Sequence, residues 1–436
     1  MSAMISAVFA DKAGRIYDHP HLEMAGRSGG RIVRVREEDL IPLPEGSRLF
    51  LLPGKEALGW DSHTGGFEGT RTASLGDRRW HGLAVSAFLP PAYTRILLPA
   101  VGPGGGEKIL PLWSYTAVGW AEGGFVAAAV RTDPIDHSEV AHYDDRVVLA
   151  GIETRLQKSP QNRLLHQLAR CATEYHCFAA KNLFLNRWEA PLPTSPSCNS
   201  QCLGCISLQP SDCCPASQER IQFVPSVEEV VEVAVFHLGA TEQGIVSFGQ
   251  GCEGEPLLQA GLLEQSIQGM RRETDRGTIH LNTNGSDPLA VERLCRAGLN
   301  SIRVSLNSTN ASLYDAYFRP RGYRLDEVVE SVLRAKARGA FTAINLLVFP
   351  GVTDQSWEVE GLCRLVEKTR LDMIQMRNLS IDPDLYLKAL PPSTDRCLGI
   401  RDMLRLLRRE FPALEIGYFN RPKELFGACL CEQLTF

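Results

Sequence analysis

The sequence predicts an α/β protein, a partial barrel of six β/α units behind a β-rich N-terminal domain. Three observations lead there. From about residue 190, short apolar runs recur every ~25–40 residues with helical patterns between them, as right-handed βαβ units around a parallel sheet require. The first 150 residues instead carry short apolar runs broken by Gly and Pro clusters, the pattern of an antiparallel, turn-rich chain. Finally, Cys198, Cys202 and Cys205 come directly after the first predicted barrel strand, at the C-terminal strand end where β/α barrels build their sites.

Each part rests on local pattern. In the N-terminal domain, residues 1–150, the apolar runs are 48–52, 95–98 and 125–130. Gly102-Pro-Gly-Gly-Gly106 lacks the Lys-Ser/Thr of a phosphate loop and is expected to be a hairpin turn. Residues 151–189 are a predicted helical linker, clearest at 162–186. The barrel, 190–385, takes its first strand from the segment before Cys198 and five more from 244–248, 278–282, 301–306, 342–348 and 372–376. Ser226-Val-Glu-Glu229 is a capping box. Asp287-Pro288 places a cap before a first-turn proline, and Gly298 closes that helix. A further helix from about Leu325 ends at Gly339. Residues 386–436 remain as a C-terminal extension.

Composition narrows the function classes. The chain has 436 residues, 44% hydrophobic and 22% charged, which is ordinary globular composition. A formal charge of −5 argues against a large constitutive nucleic-acid surface, so no DNA partner is expected. No apolar run approaches the roughly 18 residues that span a bilayer, and the first ten residues lack a signal peptide's basic region. Thirteen cysteines, an odd number, suit a reducing compartment better than a disulfide framework. The expected localisation is cytoplasmic, with no membrane partner.

The chemistry is concentrated at strand ends. Three thiolates spaced Cys-x3-Cys-x2-Cys can hold three irons of a cube and leave the fourth open, which makes a place for chemistry rather than an electron carrier. The same spacing would also serve a zinc knuckle, for which Cys213 or Cys214 stands close enough to be the fourth ligand. Zinc does not explain the residues at the later strand ends. After the second strand comes Gly251-Cys-Glu-Gly-Glu-Pro256, where Glu255 is suited to an ammonium group and the glycine permits close backbone approach. After the third comes Asn282-Thr-Asn-Gly-Ser286. The fourth carries Ser305, Asn307 and Ser308, and the sixth ends in Met376-Arg-Asn378.

This set of motifs resembles the radical S-adenosylmethionine (radical SAM) enzymes over roughly residues 190–380. The resemblance implies that Cys198, Cys202 and Cys205 hold a [4Fe–4S] cluster whose open iron binds the amino and carboxyl groups of S-adenosylmethionine. Glu253-Gly-Glu-Pro256 is similar to the family's Gly-Gly-Glu-Pro motif, which would place Gly254 and Glu255 at the methionine amino group. Asn284 joins them, and Ser305 and Asn307 match the ribose-contacting position. Residues 348–351 and Gln375 to Arg377 would lie near adenine or substrate. Two positions depart from the pattern: Gly204 stands where an aromatic residue commonly precedes the third cysteine, and Glu253 replaces the first glycine.

The implied reaction is reductive cleavage of S-adenosylmethionine to a 5′-deoxyadenosyl radical that abstracts hydrogen from a substrate. A reductant such as flavodoxin or ferredoxin is the implied partner. No catalytic residue is assigned, and peptide, RNA and small-molecule substrates all stay open, with peptide or protein favoured. An RNA base-modifying enzyme, a glycyl-radical activase and a metal-stabilised interaction protein are the alternatives.

The RNA alternative leans on the basic stretch Arg319-Pro-Arg-Gly-Tyr-Arg324, read either as an anion grip or as a solvated loop. Cys213, Cys214, Cys397, Cys429 and Cys431 raise the question of an auxiliary cluster. Cys171, Cys177, Cys295 and Cys363 are read as packed side chains, and Cys252 as a packed side chain or, alternatively, a substrate-facing thiol. Asp133, Asp136, His137 and His142 are read as surface-loop residues rather than a metal site.

Overall fold

In the computed structural model, residues 4–70, 74–75, 78–79, 82–102, 109–135, 137, 142–209, 216–393, 395–428, 434 and 436 are described. Buried backbone must be hydrogen-bonded, and the chain meets that need mainly with two sheets and the helices that pack on one of them.

The barrel sheet is parallel throughout and runs in chain order. Its strands are Glu189–Pro191, Ile245–Phe248, Thr278–Thr283, Ser301–Leu306, Phe341–Val348, Met373–Asn378 and Glu415–Gly417. The six expected strands are all present. A seventh, Glu415–Gly417, comes from the segment read as a C-terminal extension, and it pairs with Met373–Gln375. The short Glu-Ile-Gly run offers too little apolar length to be seen from sequence.

Successive strands are staggered: Glu189 pairs with Ile245, whereas His280 pairs with Ser301 and Ala343 with Met373. Such stagger is what tilts strands toward barrel closure. The first and last strands are not paired with each other, but Asn420 Nδ2 donates to Glu189 Oε1 at 2.8 Å between the segments they carry. Within a strand, side chains alternate with period two. Ile302, Val304 and Leu306 therefore share one face, and Ser301, Arg303 and Ser305 share the other.

The helix ends obey the sequence signals. Ser226 and Glu229 form the capping box, Asp287 accepts from Ala290 N at 2.9 Å, and Gly298 closes its helix at φ +119°. The predicted linker holds Arg163–Thr173 and Phe178–Phe184, and Asp145–Lys158 begins just before it.

An antiparallel sheet of twelve strands occupies the span from Ser6 to Arg131. It rests on the C-terminal ends of the fifth and sixth barrel strands. Arg95, fully buried, donates through Nη2 to Val348 O at 3.2 Å and Leu379 O at 2.8 Å. Asn378 accepts from Arg95 N and donates to Tyr93 O, each at 2.9 Å. Gly29 N donates to Pro350 O at 2.8 Å, and a Cβ on Gly351 would lie 1.9 Å from Gly29 N. Gly351 is therefore required for the two layers to meet.

Residues 103–106 of the glycine-rich turn, Asp136, and Cys213, Cys214, Cys429 and Cys431 lie outside the described residues. No helix among the described residues is long and apolar enough to cross a membrane.

Candidate active site

The cysteine loop is held from behind by the segment after the fourth strand. Gln201 N and Leu203 N donate to Phe318 O and Tyr317 O, at 3.0 and 2.9 Å, and Arg321 N donates to Asn199 O at 2.8 Å. Ser200 Oγ bonds to Tyr323 OH at 2.7 Å. The basic stretch therefore supports the loop through Tyr323 and a backbone amide. Arg220 lies on the loop's other side, with Nη2 3.7 Å from Cys205 Sγ and 3.2 Å from Ser207 Oγ.

The acidic turn meets the loop backbone to backbone. Gly254 N donates to Ser195 O at 2.7 Å and Glu255 N to Ser197 O at 2.8 Å. A Cβ on Gly254 would sit 1.9 Å from Ser197 O, so only glycine fits. The Glu255 carboxylate, almost fully buried, accepts from Thr283 Oγ1, from Leu257 N at 3.0 Å and from Asn284 N at 2.8 Å. Burial pushes its pKa up to about 7 against those donors. Asn284 Nδ2 in turn donates to Asn199 Oδ1 at 2.7 Å and Ser200 Oγ at 3.0 Å, tying the third strand end to the cysteine loop.

These residues face one cavity of about 260 Å³. Cys198, Cys202 and Cys205 line it together with Gly254, Glu255, Asn284 and Ser305. Asn307 does not line it: fully buried, its Nδ2 donates to Leu313 O at 3.1 Å and to Tyr386 OH at 3.2 Å. Arg377 lies elsewhere, lining a second cavity of about 170 Å³ that shares only Gln250 with the first, and Gln375 lines neither but accepts from Arg377 and Arg303. Of the span 348–351, Pro350 and Gly351 are packed against Gly29 of the antiparallel sheet.

A family model, the Radical SAM superfamily, matches residues 192–362. This is a radical SAM domain. The superfamily's members are enzymes that use a [4Fe–4S] cluster and S-adenosylmethionine.

Among curated relatives, the FeMo cofactor biosynthesis protein NifB of Klebsiella pneumoniae is 25% identical over 177 residues, 37% of each chain. A probable GTP 3′,8-cyclase of Aeropyrum pernix is 28% identical over 185 residues, 42% of this chain and 48% of that one. The matched part thus spans less than half of either relative. Among solved structures, a radical SAM methyltransferase from Sphaerobacter thermophilus aligns with TM-score 0.39 and 16% identity over 55% of this chain and 69% of that one. Methylornithine synthase aligns with TM-score 0.37 and 17% identity over 62% and 77%.

Both departures from the radical SAM pattern have a local cause. Glu253 is buried and its carboxylate is fully engaged, mainly by backbone: Oε2 accepts from Thr194 N at 2.7 Å, Ser195 N at 2.9 Å and Thr194 Oγ1 at 3.1 Å, and Oε1 accepts from Gly249 N. It staples the first strand's end to the second's. At Gly204, a Cβ would lie 3.2 Å from Tyr317 OH and 3.3 Å from Ser380 O, so Tyr317 already fills the space beside the third cysteine.

The thiols themselves are shielded. Burial pushes the Cys198 thiol up, and burial with the neighbouring thiols pushes Cys202 well up. Cys171 and Cys252 pack against each other within hydrogen-bonding reach. Among the described residues no three His, Cys, Asp or Glu side chains converge on a single-ion position.

Sequence reasoning missed Arg220, Glu189 and Arg303. Arg303 carried a readable signal, a charge at the middle of a buried strand with Ser301 and Ser305 on the same face. Arg220, in an irregular segment, carried none.

Proposed function

We propose that the domain generates its radical in the first cavity and delivers it to a carbon held in the barrel. The observation that carries this is the shared cavity: three cysteines and the clamped Glu255 line a single 260 Å³ space at the strand ends. The donor set fits a cluster, since thiolates are its natural ligands and the three cysteines line one cavity. Cys198, Cys202 and Cys205 would hold the [4Fe–4S] cluster, and Gly254, Glu255, Asn284 and Ser305 would hold S-adenosylmethionine. When bound, the pair supplies a 5′-deoxyadenosyl radical after one-electron reduction by a flavodoxin- or ferredoxin-class partner.

The chain's own residues orient and exclude. Glu255, with both oxygens fixed by Thr283, Leu257 and Asn284, offers a preorganised acceptor for an ammonium group, and such a partner favours its ionised form. Arg220 sets a guanidinium 3.7 Å from Cys205 Sγ, beside the position of the third cluster ligand. The antiparallel sheet covers the ends of the fifth and sixth strands and keeps water from that side. Hydrogen abstraction from a peptide or a small molecule is the outcome proposed.

Anaerobic reconstitution tests the proposal. Iron and sulfide uptake with reductive formation of 5′-deoxyadenosine is expected in the wild type and is lost in Cys202→Ala. Glu255→Gln keeps the iron but weakens S-adenosylmethionine binding. Zinc uptake without cleavage would overturn the reading.

A further inference from the structure

The second cavity lies in the bore of the barrel, between the segments of the first and seventh strands. Glu189, Gln250, Arg303, Arg377 and Asn420 form its polar wall, and Trp188, Phe178, Tyr143 and Phe419 its apolar one. Arg303 is 9% exposed, and it donates to Gln375 Oε1 and, at 3.4 Å, to Asn420 Oδ1. Arg377 donates to Tyr418 O at 2.8 Å and stacks 3.7 Å over the Tyr418 ring. Both guanidiniums keep a buried Nε–H without a hydrogen-bond partner. Among the described residues neither forms an ion pair.

Glu189 lines the same cavity and its charge partly offsets Arg303, but among the described residues neither it nor the other nearby carboxylates forms an ion pair with either guanidinium. Asp133 and Glu415 are both taken by Arg421, at 3.0 and 2.6 Å. Glu189 Oε1 accepts from Ser247, Gln250 and Asn420. A buried guanidinium without an ion-pair partner is costly, and a second, half-buried guanidinium beside it adds to the cost. Their repulsion, after desolvation, helps hold Arg303 down at about 9. An arrangement of this kind persists where a ligand supplies the missing charge.

We infer that this cavity is the substrate site and that it takes the anionic group, a carboxylate or a phosphate, of a molecule bearing a flat unsaturated ring. Arg303 and Arg377 receive the anion, and the aromatic wall receives the ring. Gln250, shared by both cavities, marks the passage to the radical-generating side. The inference rests on the proposed radical chemistry and adds the substrate class to it. It also gives the added segments a task, because Pro91, Tyr143, Phe178 and Asn182 close the cavity from outside the barrel.

The test titrates benzoate, phenyl phosphate and the neutral isostere benzamide against the reconstituted full chain by ligand-observed NMR. In parallel, 5′-deoxyadenosine formation is assayed in the same preparation. At least one anion is expected to bind about tenfold or more tightly than benzamide, as charge-assisted hydrogen bonds allow. The preferred anion distinguishes carboxylate from phosphate. Arg377→Gln and Arg303→Lys should shrink that preference, while the wild-type series alone decides if either variant fails to fold. Equal affinity for all three probes, or no binding of any, overturns this inference and leaves the radical chemistry standing if 5′-deoxyadenosine still forms. Anion selectivity without 5′-deoxyadenosine overturns the radical reading and leaves an anion site.

Discussion

Replacing Glu253 with glycine would restore the radical SAM family's own residue, yet it should weaken this protein. In the wild type, one carboxylate accepts from the backbone amides of Thr194, Ser195 and Gly249 and from the Thr194 hydroxyl. Each buried amide left without an acceptor costs about 1–3 kcal/mol. Three of them give roughly 3–9 kcal/mol before water or relaxation recovers a part.

Against this stands the cost of burying the carboxylate itself. Its folded pKa, raised by burial, is about 7 against an ordinary 4.5, a difference of about 3 kcal/mol. The sign matters. A carboxyl whose folded pKa is raised destabilises progressively as pH climbs from 4.5 to 7, and the penalty is absent below that window. Glu253→Gly should therefore cost about 3 kcal/mol at pH 8 and about 2 kcal/mol more at pH 5.5, where the wild-type group is mostly neutral.

Urea unfolding of the apo chain at the two pH values, followed by tryptophan fluorescence, measures the difference. Iron content after reconstitution reports on the cysteine loop that Thr194 and Ser195 lead into. A variant as stable as wild type at both pH values, with full iron uptake, would refute the staple.

Three further outcomes are expected. Gly254→Ala places a methyl 1.9 Å from Ser197 O and 3.2 Å from Cys198 N. It should cost about 2–5 kcal/mol through overpacking and two lost hydrogen bonds and should lower iron occupancy; unchanged iron content and melting would contradict it. Arg95→Ala strips donors from Val348 O and Leu379 O. The antiparallel sheet should then release more readily, by about 2–4 kcal/mol, seen as faster limited proteolysis. His237 is buried and held neutral, its pKa lowered by desolvation to about 4. Stability should fall by about 3 kcal/mol as pH drops from 6.5 to 4, and His237→Leu should flatten that part of the profile.

What the sequence disclosed depended on whether the signal was local. The capping box at Ser226, the proline-led helix at Pro288 and the glycine stop at Gly298 are decided within four residues, and each stands where it was read. Cys198, Cys202, Cys205, Gly254, Glu255, Asn284 and Ser305 meet in one cavity because strand order places successive strand ends side by side. Asn307 shows the limit of that logic: two residues past Ser305 it is turned into the core by Leu313 and Tyr386, partners that spacing does not announce. Glu415–Gly417 and Glu189 show another limit. Their roles come from closing a seam between residues more than two hundred positions apart, and no window of sequence spans that contact.

The two departures from the family pattern are better understood as exchanges than as losses. At Gly204 the backbone runs against the Tyr317 hydroxyl and Ser380 O, so an aromatic side chain there would collide with an aromatic ring already in place. Tyr317 comes from the same helix end whose carbonyls hold Leu203 and Gln201, so ring and loop are positioned by one element. Glu253 likewise gives up the freedom of a glycine and gains a cross-link between two strand ends. Both exchanges stiffen the wall that carries the thiols while leaving the three cysteines and Glu255 untouched. A site that must hold a reactive species needs its surroundings rigid to within about 0.5 Å. On that account a double change that moves the aromatic back, Gly204→Tyr with Tyr317→Gly, should tolerate what Gly204→Tyr alone does not. Iron uptake lost in the single variant and regained in the double one is the expected result; equal loss in both would show that Tyr317 is not the substitute.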